Sequence, residues 1–389
     1  VTAPVPAGDR VAAEQWFLRF GLPSVLTPRA RWRRLWWRSA PALTALATVA
    51  VAVRIVTVAS GGGYIDIDND PTPAEWLIVA ILVVVLPLAG AAAWWTSRIA
   101  TRRGRRIALG ASLLVFAVVD AAAGKPAAIL AEVLSTAAAV AAVLLFNGSG
   151  AGSVVGWSIR LTLSHLKSVG ALFTRALPVL LLTVLVFFNG PVWSMATTIG
   201  RGRLWLLIGF MVVLAGMFLC TGVVERVRPM LSAHAVRDVD VTRLEDTPFA
   251  ALPDPAEGTD APLSRGERAN VVFVVAVSQF VQIAAVAAVT SVIFLIMGLL
   301  ALTPQLLTRL TVDGSWQGTW MGMTLPIPQA LIHVSMFLGA LTFMYVSARS
   351  VGDGEYRKQF LDPLIDDLRA VLVARNRYRG YVTRLHRGL

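Results

Sequence analysis

One cysteine, Cys220, stands in a chain of 389 residues. It allows no intramolecular disulfide and no thiolate metal cluster, and its apolar surroundings suggest a small buried hydrophobe. Lysine is nearly as scarce, confined to Lys125, Lys167 and Lys358. Charged residues make up 15% of the chain, where an average soluble domain carries about 25%. Also missing are a Walker A loop, a dinucleotide glycine fingerprint, a His-Glu-x-x-His pair and a Gly-x-Ser-x-Gly elbow. No cofactor, metal or catalytic residue is therefore implied. The first residues, "VTAPVPAGDR", lack the apolar core of a cleaved signal peptide, so the first span is expected to act as the targeting signal.

What is present is apolar and arranged in long blocks. Hydrophobic residues reach 56% and mean hydropathy is +0.67. A span needs about 20 apolar residues at 1.5 Å each, and such blocks lie near 39–60, 76–97, 107–124, 126–146, 176–194, 204–225, 269–302 and 326–348. The fold expected is all-α and polytopic, with about eight transmembrane helices and additional amphipathic interfacial helices. Only "GKP" (124–126) separates the third and fourth blocks, which are either one long helix or a tight hairpin.

Net charge is +12. In a membrane chain this is read as arginine flanking one side of the spans, not as a nucleic-acid surface. Arg29, Arg31, Arg33, Arg34 and Arg38 precede the first span, and Arg98, Arg102, Arg103, Arg105 and Arg106 follow the second. The 61–75 connection holds Asp66, Asp68, Asp70 and Glu75 and no basic residue. Eight spans put the basic connections and the tail together on the cytoplasmic side, with Arg201 and Arg203 the misfit; seven would export the tail.

The divisions expected are a basic N-terminal segment (1–38), a four-span half (39–146), an amphipathic connector (147–175), a second four-span half (176–348) and a basic C-terminal helix (349–389). The second half contains a flexible cytoplasmic loop, 226–268, and an external hairpin, 303–325, with a turn signal at Asp313-Gly314. Leu361, Leu364, Leu368 and Leu372 recur at helical spacing before Arg375, Arg377 and Arg379. That pattern suggests a helix lying on anionic inner-leaflet lipids, or one docking a partner protein.

The two halves echo each other. Trp16-x-Leu18-Arg19 resembles Trp157-x-Ile159-Arg160, and "WLIVAILVVV" at Trp76 resembles "WLLIGFMVVL" at Trp205. "RGRR" (103–106) precedes the third span and "RGER" (265–268) the seventh. Two parallel four-helix repeats are one explanation; shared membrane grammar among independent spans is the other.

Polar residues within the spans carry the functional expectation, because each is costly in hydrocarbon. Arg54, Asp120, Glu132 and His333 fall at one level in the outer leaflet when helix rise is counted from the connections, and Gln282 matches Asp120 when both are counted from the Arg-Gly motifs. A guanidinium beside two carboxylates is either a polar transport site or a structural ion pair joining spans 1, 3 and 4. Three functions follow: a transporter or permease using that site, a non-catalytic scaffold using loop 226–268 and the tail, or, third, a transferase built on Asp66, Asp68 and Asp70.

"WFLRFGLPSVL" (16–26), "FTRALPVLLL" (173–182) and "FLDPLIDDLRAVLVARNRYRG" (360–380) resemble recurring segments of uncharacterised actinobacterial integral membrane proteins. The resemblance implies a bacterial plasma membrane, and the eight-span charge pattern puts both termini in the cytoplasm. It transfers no activity and no site residue.

Overall fold

A computed structural model of the chain describes residues 7–26, 31–32, 35–60, 65–66, 72–99, 101–122, 126–164, 183–227, 247–249, 263–310, 318–320, 323–325, 327–352 and 362–386. In chain order the helices are α1 (Ala7–Arg19), α2 (Leu35–Ala59), α3 (Pro73–Arg98), α4 (Arg102–Ala121), α5 (Pro126–Ser149), α6 (Ala151–Ser164), α7 (Gly190–Thr198), α8 (Arg201–Val227), α9 (Arg265–Ala301), α10 (Pro304–Leu310), α11 (Gln329–Gly352) and α12 (Asp362–His386). Three very short strands, β1 (Ile65–Asp66), β2 (Gly318–Trp320) and β3 (Met323–Leu325), complete the description. The fold is that of an all-α polytopic membrane protein. Six of these helices (α2, α3, α5, α8, α9 and α11) are long and apolar enough to cross a bilayer. The arginines at its start keep α4 off that set; of the fifth expected span, 176–194, residues 176–182 lie outside the described residues, and the described part is interrupted at Phe188 and Asn189 before α7 begins.

Helix starts follow local chemistry. Thr72 and Glu75 form a reciprocal capping box ahead of α3, with Pro73 at the first helical position. Ser264 and Glu267 form the same box ahead of α9. Both devices satisfy amide protons that a helix start leaves without intrahelical acceptors.

The chain divides into two compact units. One comprises Pro28–Gly152 and Ser315–Gln329. Within it α2, α3, α4 and α5 run up, down, up and down. Thr96 of α3 and Ser112 of α4 both approach Thr44 of α2 at 3.4 Å, and Asn147 near the end of α5 donates to Ser39 near the start of α2 at 3.0 Å. Ala40, Leu43 and Leu109 form the buried core here, with Trp37, Val140 and Val143 against it. Beside this, Trp32 lies so close to Gly148 that a Cβ there would meet the indole at 3.1 Å.

Thr136 donates to Asp120 at 3.0 Å. In one continuous helix those residues would lie about 24 Å apart. The third and fourth expected spans are therefore two antiparallel helices. At the opposite end from Asn147, β3 pairs parallel with β1 and antiparallel with β2. In the β2–β3 pair Trp320 lies opposite Met323, whereas the Asp313-Gly314 signal lies outside the described residues.

The other unit comprises Val1–Thr27, Ser153–Gly314 and Ala330–Leu389. Its apolar core joins α8, α9 and α11 through Ala215, Leu219, Ile283, Ala287 and Phe343. Gly339 brings α11 against Ala287 and Ser291 of α9, the close approach that small residues allow between membrane helices. Cys220, expected to be buried, is exposed on α8; a lipid-facing position suits a small apolar thiol equally well.

At 37 residues, α9 is about 55 Å long, nearly twice the hydrocarbon thickness of about 30 Å. Its first half is held by groups outside the spans. Asn270 donates to the Gly21 carbonyl at 3.2 Å, and Ser278 shares a buried hydrogen bond with Ser158 of α6 at 2.9 Å. Trp16, Phe17, Phe20, Phe249 and Tyr378 form an aromatic cluster in the same body. Gly21, at φ +73, makes the left-handed turn that leads the chain out of α1. From Leu368 to Tyr378 every residue of α12 is buried or half-buried. The C-terminal helix is thus a core element of its unit.

Candidate functional site

The spacing along three helices places the intramembrane charges. Leu43, Leu109 and Val143 belong to the core of the first unit's bundle. Arg54 lies eleven residues beyond Leu43, Asp120 eleven beyond Leu109, and Glu132 eleven before Val143. Eleven residues are about three helical turns, so each charge continues its helix's core-facing stripe. Because α4 runs parallel to α2 and α5 antiparallel, all three counts run toward the same end of the bundle. The stripes change there from apolar to charged, about 16 Å from the core cluster.

Exposure changes in the same direction. Asp120 is 5% exposed, Arg54 half-buried and Glu132 exposed. The Asp120 carboxylate accepts from Thr136, one turn from Glu132 on the same stripe of α5. On α3, Ile78 is buried at the corresponding end. Among the described residues no ion pair joins Arg54 to either acid, and the Arg54 Nε is buried without a hydrogen-bond partner. The spans 1, 3 and 4 ion pair foreseen as one alternative is not formed. Three ionisable groups share a level without neutralising one another.

Toward the basic end the same interior is closed and then neutral. Phe116, 4% exposed, fills the stripe of α4 between Asp120 and Ser112. Below it Thr44, Thr96 and Ser112 converge, and each donates its hydroxyl proton to the carbonyl four residues earlier at 2.8–2.9 Å. Converging hydroxyls of this kind had no signal in the sequence beyond three scattered Ser and Thr residues.

Gln282 and His333 belong to the other unit. Counted from the end of α9 at Ala301, Gln282 lies 19 residues in, about 28 Å along the helix. It matches Asp120 when counted from the Arg-Gly motifs, but α4 has 20 residues and α9 has 37, so the two lie at different distances from their helix ends. His333 is buried on α11, with Nδ1 2.8 Å from the Ala196 carbonyl of α7. It is a satisfied core histidine, as a lone histidine in an apolar helix usually is. Asp66 lies in β1, and Asp68 and Asp70 are outside the described residues.

The expected membrane-surface arginines are placed differently. Arg375 is 2% exposed and reaches Glu267 at the start of α9 through both Nε (3.0 Å) and Nη2 (2.8 Å). Arg377 is 5% exposed and donates to the Phe249 carbonyl at 3.3 Å. Arg379 adds a second cation to Glu267 at 3.1 Å and alone keeps a partly open side chain. Arg375 and Arg377 therefore cannot lie on anionic lipid; they pin α12 into the body. Burial alone would raise the Glu267 pKa. Hydrogen bonds from Arg375 and the Ser264 amide, with the charges of Arg375 and Arg379, outweigh it and hold the carboxyl below its ordinary range.

Comparison with protein-family models, with curated proteins and with solved structures returns no match.

Proposed function

We propose that the chain is a permease-like transporter whose substrate enters the four-helix unit at Arg54, Asp120 and Glu132. One observation carries this reading: three charges continue the core-facing stripes of three neighbouring helices, at one level, without pairing. A structural ion pair would close that gap, since unpaired charge in hydrocarbon is expensive. A site that admits water and a polar solute removes the expense without pairing. Phe116 then separates the charged mouth from the hydroxyls of Thr44, Thr96 and Ser112, so the interior is a path closed at one level.

The mouth is assigned to the outer face of a bacterial plasma membrane, with both termini in the cytoplasm. The arginine bias supports that orientation. Pairing of β1 with β3 supports an even number of crossings between residues 66 and 323. With α3, α4, α5, α8 and α9 taken as five of those, this orientation requires one further crossing between α6 and α8.

A second reading, a membrane scaffold, is favoured by a different observation: the buried Glu267–Arg375 pair fixes α12 to the extramembrane start of α9. Single cysteines in a Cys220→Ser background separate the two. In a permease, Asp120→Cys reacts with an impermeant thiol reagent from the outer side and Thr44→Cys from the inner side, as the path opens alternately. If neither reacts from either side, the permease reading fails and the scaffold stands.

A further inference from the structure

From the composition of this mouth we infer its substrate class, an inference that rests on the permease reading. The geometry points to a zwitterion, a molecule carrying an oxyanion and a primary ammonium group a few bonds apart. Arg54 offers donors, and its Nε is buried with no acceptor among the described residues. Guanidinium nitrogens recognise carboxylate and phosphate oxygens in charge-assisted hydrogen bonds. Glu132 offers an exposed acceptor-only group on the neighbouring helix. Asp120 supplies a second carboxylate, oriented by Thr136 at 3.0 Å.

A simple anion would satisfy Arg54 but face two carboxylates. A simple cation would satisfy the carboxylates and leave the guanidinium desolvated and unpaired. Only a ligand with both signs completes all three groups at once, its oxyanion on Arg54 and its ammonium between Glu132 and Asp120. Two sources carry that chemistry: a free amino acid, or the ethanolamine phosphate headgroup of an outer-leaflet lipid. Glu132 is exposed, and the experiment distinguishes the two sources.

The test uses the full-length protein in detergent and in nanodiscs, read as thermal midpoint and titrated affinity. The soluble probes are glycine and glycerophosphoethanolamine as zwitterions, glycerophosphate as the anion and ethanolamine as the cation. The lipid arm compares phosphatidylethanolamine with phosphatidylglycerol nanodiscs. A zwitterionic probe is expected to raise the midpoint, and the single-charge probes are not. Arg54→Gln and Glu132→Gln should each weaken the response roughly 10- to 100-fold, the range for losing a hydrogen bond to a charged group. Arg54→Lys should keep part of it and guards against a folding defect in Arg54→Gln.

A response to glycine or glycerophosphoethanolamine supports a soluble substrate, and one seen only in phosphatidylethanolamine discs supports the lipid. Equal responses to glycerophosphate or ethanolamine overturn the inference, as does a zwitterion response untouched by both substitutions or no response in either arm. If Asp120→Cys and Thr44→Cys are labelled while every zwitterion fails, the substrate class is wrong and the path remains. If neither cysteine is labelled, the permease reading itself is lost.

Discussion

Thr136 Oγ1 of α5 donates to Asp120 Oδ1 of α4 at 3.0 Å. That bond sets α4 and α5 side by side and leaves the Asp120 carboxylate oriented by a hydroxyl. Thr136→Val keeps the side-chain shape and removes the donor. The buried carboxylate then loses its partner, at a cost of about 1–3 kcal/mol. Thermal unfolding in detergent should show a lower midpoint for Thr136→Val, and Asp120→Asn in that background should restore most of it.

Breaking the Glu267–Arg375 pair leaves a buried guanidinium without its counter-ion, which costs about 3–5 kcal/mol in comparable buried pairs. Glu267→Gln is expected to release α12, read as rapid proteolysis after Arg375, while the membrane helices stay protected. Unchanged proteolysis would show that the aromatic cluster alone holds the helix.

The same carboxyl makes docking depend on pH, and its sign is set by the lowered pKa of Glu267. A carboxyl held below its unfolded value, about 4.3, contributes stability that is complete above that value. The contribution is lost as pH falls through the lower, folded value. Docking of α12 should therefore be constant from neutral pH down to about 5 and weaken in stronger acid. Glu267→Gln should remove this carboxyl's part of the acid step; an identical acid profile in the variant would contradict the assignment.

Gly318 opens β2 where a Cβ would sit 3.0 Å from the Gln329 backbone nitrogen. Backbone cannot swing aside as a side chain can, so Gly318→Ala should cost about 1–3 kcal/mol, as overpacking does. The β1–β3 pairing is expected to open, seen as faster amide exchange at Ile65 and Thr324. A side reporter carries the same point about topology: insertions at Gly124 and Gly314 should both read with the 61–64 connection.

The helices of the first unit were legible because each span is a block of apolar residues bounded by arginine, aspartate or proline. The site was legible in part. Arg54, Asp120 and Glu132 stood out as charges in apolar runs, and counting helix rise put them near one level. Gln282 was counted from a motif at the start of a 37-residue helix, and its distance from the far end of α9 differs from that of Asp120 in the 20-residue α4. Arg375 and Arg377 were read as a basic surface because their partners, Glu267 and the Phe249 carbonyl, lie more than a hundred residues away. Long-range pairing of that kind leaves no local period. Leu368 and Leu372 give the same helical stripe on a lipid surface or in a core.

The central claim is that the charged mouth holds water, and Glu132 is its most open residue. Its neighbour Leu134 lies on the opposite side of α5 and is 61% exposed. In the Cys220→Ser background, Glu132→Cys and Leu134→Cys are each exposed to an impermeant thiol reagent from the outer side. The account predicts that Glu132→Cys reacts as readily as a cysteine at Gly61 in the connection, and that Leu134→Cys, facing lipid, does not. Two inert cysteines, or two that react alike, would contradict it.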